Sequence, residues 1–311
     1  FRVTMAGDGV ESEYSELRFT VVSNNVGLDS PVRLNLRSGE EIIDFIGMAE
    51  SGLLFTTVDG ELHVRTVTES SSGAWATLGD VKLADSWAGE LTAILRDDGL
   101  VHAAWTENVL DQQGYFLSHV AMTSITSAGE TTEKQTHMQP VKLSEGRYWG
   151  LDMAKKGDRI VLAGYHRDIA TAGSYNDITS IFVLMSDTPL IQSSWSSSYI
   201  LTNIDIKPSQ GDSLAIALGE ENMHILYQEL RDDVTGIERV GLMYAHGKEW
   251  LSSWSFRYSV GDYASNAQLE VYQKNNRDVL AATWVEGAGG ESKIAYVVTD
   301  NSWSADEANY I

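Results

Sequence analysis

The stretch from Gly99 to Asn108, "GLVHAAWTEN", runs apolar, aromatic, any residue, acid, and the same rhythm returns in "NMHILYQEL" at 222–230 and "VLAATWVEG" at 279–287. Alternating runs rich in β-branched and aromatic residues, bounded by Gly, Asp and Asn, read as strands. A strand text that recurs at long intervals reads as a repeat, and a period near fifty residues is that of stacked sheet units.

Working outward from the quoted stretch, "ELTAILR", "GLVHAAWTEN", "YFLSHVAMTS" and "MQPVKLS" make one four-stranded antiparallel meander. The same frame fits "LDMAKKG", "DRIVLAGYHRD", "ITSIFVLMSD", "SSYILTN", then "SLAIALG", "NMHILYQEL", "RVGLMYAHG", "SFRYSVG". It fits again from "AQLEVYQ" to "ANYI", and upstream from "EIIDFIGMAE" to "TLGDVKL", while residues 1–36 supply three strands only. Successive fourth strands are expected near Val32, Val81, Val141, Tyr199, Tyr258 and Asn309.

The expected fold is therefore all-β: a β-propeller of six four-stranded blade-like units, the first lacking one strand, in a single domain 1–311. The units span about 1–36, 41–85, 90–145, 149–205, 212–262 and 266–311. Radial closure buries both faces of every sheet and leaves only short edges, which an open sheet of that many strands cannot do. The missing strand leaves open a contribution from beyond Ile311, and a larger propeller of which this is part. Only "MAKKGD" and "SADEANY" read as locally helical.

Forty-four acids against twenty-two bases give a net charge of −22 with no basic stripe, so nucleic acid is excluded as an expected partner. The chain has no cysteine, which removes disulfides, thiolate chemistry and Cys-based metal centres. No apolar run approaches the length of a membrane span. The start, "FRVTMAGDGV", has no initiating Met and no apolar leader, so a leader is expected to have been removed or to lie upstream. The expected location is secreted or at the cell surface, and self-assembly or further domains of a longer chain stay open as partners.

The candidate ligand-binding residues follow from the opening pattern. Trp105 with Glu107, Tyr227 with Glu229 and Trp284 with Glu286 sit two apart in second strands, so each pair shares a face. In the fourth unit the pattern is broken by Tyr165, His166, Arg167 and Asp168, followed by the long polar connection "IATAGSYND". One reading packs the rings between blades and lets the acids cap turns. The other gathers rings and carboxylates at one mouth of a central channel, where they suit sugar hydroxyls and sugar faces. No metal or other cofactor is expected, since no loop has the D-x-[DN]-x-[DN]-G spacing, although a ring of acids would attract calcium. His102 and His224 share one repeat slot and read as packed positions.

Nucleophile elbows, phosphate loops and H-E-x-x-H are absent, so no catalytic set is assigned. A further recurrence, Ser193–Trp195, Ser252–Trp254, Asn301–Trp303 and Gly73–Trp75, places a Trp between third and fourth strands. Together with Ser186 and Asp187 in "MSDTPLIQSSW" and Thr299 and Asp300 in "VTDNSW", this resembles the Asp-box hairpins of sialidase-type propellers. That resemblance implies a blade fold and, for an active member, three arginines, a Tyr–Glu pair and an Asp acid/base, which no motif here locates. The expected function is a binding or scaffold propeller that presents a surface to glycan or protein. The alternatives are a sialidase-like glycoside hydrolase or polysaccharide lyase, and a structural subunit of a surface layer or filament.

Overall fold

The structure is a computed structural model that describes residues 2–5, 16–20, 32–33, 36–48, 51–69, 75–168, 178–204, 206, 214–220, 222–232, 238–248, 254–262, 264–274, 277–287, 293–300 and 309–310. Among these, twenty-four strands form six antiparallel sheets, and the one helical element is a 3₁₀ turn at Gln192–Ser194.

The first sheet has three strands, β1 (Arg2–Met5), β2 (Glu16–Thr20) and β3 (Val32–Arg33), in that order. The second is β4 (Glu41–Gly47), β5 (Ser51–Val58), β6 (Glu61–Glu69) and β7 (Trp75–Ala84). In the third, β8 (Trp87–Leu95), β9 (Val101–Leu110) and β10 (Phe116–Ile125) carry two short outer pieces, β11 (Gln135–Thr136) and β12 (Val141–Lys142). The fourth is β13 (Gly146–Lys156), β14 (Arg159–Asp168), β15 (Ile178–Ser186) and β16 (Ser196–Ile204). The fifth is β17 (Leu214–Leu218), β18 (Asn222–Asp232), β19 (Glu238–Lys248) and β20 (Trp254–Asp262). The sixth is β21 (Ala264–Lys274), β22 (Arg277–Glu286), β23 (Lys293–Asp300) and β24 (Asn309–Tyr310).

Local chemistry explains where the strands turn and break. Val58 pairs with Glu61 across Asp59 (φ 52°) and Gly60 (φ 81°), the two left-handed residues of a tight hairpin turn. Asp59 is therefore a turn residue. The outer edge of the third sheet splits into β11 and β12 on either side of Pro140, which has no N–H to give to a ladder. "MAKKGD" is not helical: Met153 pairs with Leu162 and Lys156 with Arg159, so sheet pairing overrides the local preference. β7 starts at Trp75, six residues before Val81, because Trp75 continues the ladder opposite Glu69. Within "SADEANY", Asn309 and Tyr310 pair with β23 as strand, and the rest lies outside the described residues.

The chain divides into two compact units, Phe1–Trp87 with Gly99–Val101 and Ile125–Thr132, and Ala88–Asp98 with His102–Ser124 and Glu133–Ile311. In the first, buried Glu40 collects an Arg65 guanidinium at 3.0 Å, the Thr56 hydroxyl at 2.7 Å and the Arg37 amide at 2.7 Å. A buried carboxylate paired and bonded in this way holds β4, β5 and β6 to one register.

In the second unit the strands are buried on both faces. On β14, Ile160 and Leu162 pack with Ala104, Val120 and Met122 of the third sheet. Val161, Ala163 and Tyr165 face the other way, against Leu214, Ile216, Ile225 and Tyr227 of the fifth. On β18, Leu226 turns to Leu280, Ala282 and Trp284 of the sixth. Sheets three to six are thus stacked face on face, which is why their second strands are continuous apolar runs.

Candidate functional site

Stacking brings the first strands together. β8, β13, β17 and β21 line one cavity of about 440 Å³ through Ile94, Asp152, Lys155, Leu218, Gln268 and Glu270, among others. That volume lies within the range of small-molecule sites.

Asp152 reaches the cavity wall because β13 carries a bulge between Trp149 and Asp152, opened at Gly150 (φ 62°). The bulge re-aims a carboxylate that would otherwise follow the pleat. Its Oδ2 accepts the Ile216 N–H at 2.8 Å, so it also ties β13 to β17. Burial of the carboxyl raises it to about 7, against the opposing pull of the Ile216 and Met153 amides and with help from the negative charge of Glu270. Glu270 and Gln268 are exposed on β21, and Lys155 is held at 2.6 Å by Asp97.

The residues singled out by the repeat pattern lie elsewhere on the blades. Trp105, Tyr165 and Tyr227 are 0% exposed and Trp284 is 1% exposed. Rings so enclosed present no face to a ligand; Tyr165, Tyr227 and Trp284 fill the interfaces of stacked sheets. Each indole also donates to the acid two residues on, Trp105 to Glu107 at 3.2 Å and Trp284 to Glu286 at 3.3 Å. Glu107 is itself buried and takes the Lys134 ammonium at 2.9 and 3.1 Å. Glu229 and Glu286 are half-buried near the ends of β18 and β22.

Tyr165 departs from the pattern. Ala104 faces the fourth sheet, so Trp105 faces away from it, whereas Tyr165 faces the fifth sheet and meets Tyr227 there. The slot equivalent to Trp105, Tyr227 and Trp284 is filled by His166, with Asp168 in the acid position by backbone register. The side chain of Asp168 lies outside the described residues. The Tyr165 hydroxyl accepts the Gln228 N–H at 2.7 Å, a bond between sheets four and five, and its ring stacks on Trp149 at 5.1 Å. His166 is stacked on Tyr148 at 4.7 Å, with its Nδ1 3.0 Å from the Tyr199 hydroxyl. Arg167 stands opposite Arg147 in the β13–β14 ladder.

The packed-slot reading of His102 and His224 agrees with their surroundings. His102 lies between Ser124 (2.9 Å) and Arg96 (3.3 Å), and His224 meets the Tyr244 hydroxyl at 2.7 Å. Burial lowers each to about 4, so both are neutral near pH 7. Trp195 donates to the Pro189 carbonyl at 3.1 Å and so plugs its own hairpin. The side chains of Trp75 and Trp254, and all of Trp303, lie outside the described residues. Among the described residues no group of three or more His, Asp or Glu side chains forms a metal cradle, and no helix is long and apolar enough to cross a membrane.

The opening pattern lies in second strands and does not lead to Asp152 and Glu270, which stand in first strands. The one local signal is "YWGLDM", a Gly and then an acid inside an otherwise buried first strand.

No protein-family model matches the chain, and no curated protein does. Among solved structures it is similar to an alpha-L-arabinanase of Penicillium chrysogenum complexed with arabinobiose: 8% identity, 79% of this chain and 73% of that chain, TM-score 0.48. It is similar also to the native arabinanase of Bacillus subtilis, at 12% identity over 86% of this chain and 95% of that one, TM-score 0.43. A third likeness is to a sucrose-6-phosphate hydrolase from Lactobacillus gasseri, at 12% identity over 85% of this chain and 61% of that one, TM-score 0.44.

Proposed function

We propose that the chain is a carbohydrate-active β-propeller whose first strands surround an axial cavity, and that this cavity binds a glycan and hydrolyses it. The observation that carries the reading is the delivery of two carboxyl groups, Asp152 and Glu270, to one cavity by strands of two different sheets. Glycoside hydrolysis asks for one carboxyl that still holds its proton near neutrality and a second that is negatively charged. Asp152, raised to about 7, suits the proton donor, and Glu270 the nucleophile or base. Six blade-like units, the first lacking one strand, and a secreted or cell-surface location belong to the same proposal.

A binding or scaffold propeller is the second reading. It is favoured by the bond that already ties Asp152 to the Ile216 amide, which suits a carboxyl that holds two sheets together. The test is release of reducing ends from a broad panel of oligosaccharides by the protein, Asp152→Asn and Glu270→Gln. Hydrolysis predicts turnover that each substitution lowers by roughly 10²- to 10⁴-fold, the usual contribution of a positioned acid or base. Folded protein that binds a glycan in the panel but cleaves none rejects hydrolysis and leaves the binding reading.

A further inference from the structure

We propose that Gln268 reads the ligand of the cavity, and that it selects a neutral glycan whose ring hydroxyls pair with its carboxamide. For carbohydrate as the class of ligand this rests on the reading above; the placement of Gln268 rests on the strand that carries it. β21 holds one extra residue between Ser265 and Gln268, as β13 does between Trp149 and Asp152. Each strand thus delivers a polar side chain to the cavity directly after its bulge. β17 pairs with β18 without a shift, and it supplies only Ile216, Ala217 and Leu218. The bulge in β21 contains Asn266 at φ 52°, a left-handed conformation that strains a residue other than glycine. That strained residue stands two before Gln268, and re-aiming the Gln268 side chain is what the bulge achieves.

The packing of β21 shows the effect. Ala264 and Ala267, three apart, both pack with Leu226 of the fifth sheet, whereas a regular pleat would put them on opposite faces. Leu269 faces the same way, so Gln268 and Glu270 share the other face, about 7 Å apart along the strand. Asp152 and Glu270 each stand four residues before the last pair of their hairpins, Lys156 with Arg159 and Lys274 with Arg277, and so occupy one level of their sheets. Gln268 lies one pleat beyond that level, beside any sugar that the two carboxyl groups hold. Its carboxamide both donates and accepts, as a sugar hydroxyl does. Charge narrows the class further. Among the described lining residues Lys155 is the only base, and its ammonium already pairs with Asp97 at 2.6 Å. Two carboxyl groups beside a lysine so engaged repel a uronate or a sulfated sugar, and neutral hydroxyls suit the site.

The test is titration calorimetry and reducing-end kinetics of the protein with gluco-, xylo-, manno-, arabino- and galacto-hexasaccharides, and with trigalacturonate as the acidic probe. Both are repeated on Gln268→Leu, Gln268→Glu and Asp152→Asn. Thermal melting checks that each variant is folded; Gln268 is exposed, so its replacement should leave melting unchanged. At least one neutral hexasaccharide is expected to bind and trigalacturonate is not. Each Gln268 variant should weaken the neutral ligand roughly tenfold, the loss of about one hydrogen bond, and more in KM than in kcat where the ligand is cleaved. Gln268→Glu keeps the shape of the side chain and serves alone if Gln268→Leu does not fold. Equal affinity in the protein and the folded Gln268 variants overturns the role of Gln268. Trigalacturonate bound ahead of every neutral hexasaccharide, or no probe bound at all, overturns the neutral class. A neutral ligand bound through Gln268 and cleaved by no form of the protein establishes the inference while hydrolysis fails. Turnover that Asp152→Asn abolishes, with KM unaltered in the Gln268 variants, overturns the inference while hydrolysis stands.

Discussion

Replacing Asp152 by Asn should make the protein more stable, by an amount that depends on pH in a defined way. The native carboxyl is raised from 3.8 to about 7, so the folded state keeps a proton that the unfolded chain gives up. Stability therefore falls as pH rises from about 4 to about 7, because the unfolded state is the one that gains by ionising. Below both values the contribution is zero. Above about 7 it reaches about 4 kcal/mol, at 1.36 kcal/mol for each pKa unit. Asn cannot ionise, and its side-chain oxygen can still accept the Ile216 N–H. Urea unfolding at pH 5 and pH 8 should then show the variant ahead by about 1.5 and about 4 kcal/mol respectively. A difference between the two proteins that stays constant from pH 5 to pH 8 would refute the assignment of a buried, proton-holding Asp152.

The packing of the second strands makes further predictions. Trp105→Ala should cost about 3 to 5 kcal/mol in chemical denaturation, since the ring is fully buried; a loss under 1 kcal/mol would mean the ring is not packed. Tyr165→Phe keeps the ring but strands the Gln228 N–H in the interface, for about 1 to 3 kcal/mol, and protection of that amide from hydrogen exchange should fall with it. His102 and His224, both lowered to about 4, contribute stability that is complete above pH 6.5 and lost as pH falls toward 4. His102→Gln should accordingly flatten the acid limb of the stability curve, by up to about 3 kcal/mol between pH 7 and pH 4; an acid limb as steep as that of the unaltered protein would count against a neutral buried His102.

How much of this was legible beforehand differs between elements. The three strands before residue 36 and the strand content of the five following units could be read from alternation and turn residues alone, because half of each pattern is carried by neighbours in sequence. The fourth unit offers Tyr165 and His166 for the ring position, and the parity of the strand puts His166 there. Both are aromatic, and nothing local says which faces which sheet. "MAKKGD" looked helical for a similar reason: Lys and Ala favour a helix until Arg159–Leu162 pair with them across the sheet.

The aromatic-x-acid pairs show the same division at the level of function. The sequence by itself determined that ring and acid share a face, since residues two apart in a strand always do. Only the tertiary structure decided that the rings are enclosed and that two of them donate to those acids, because enclosure depends on which sheet comes to lie opposite. The cavity is the extreme case. Asp152 stands far along the chain from Gln268 and Glu270, and what unites them is the convergence of four first strands. Strand texture is a short-range property and is written in the residues themselves, whereas convergence arises from the stacking of whole sheets and is written in no single stretch.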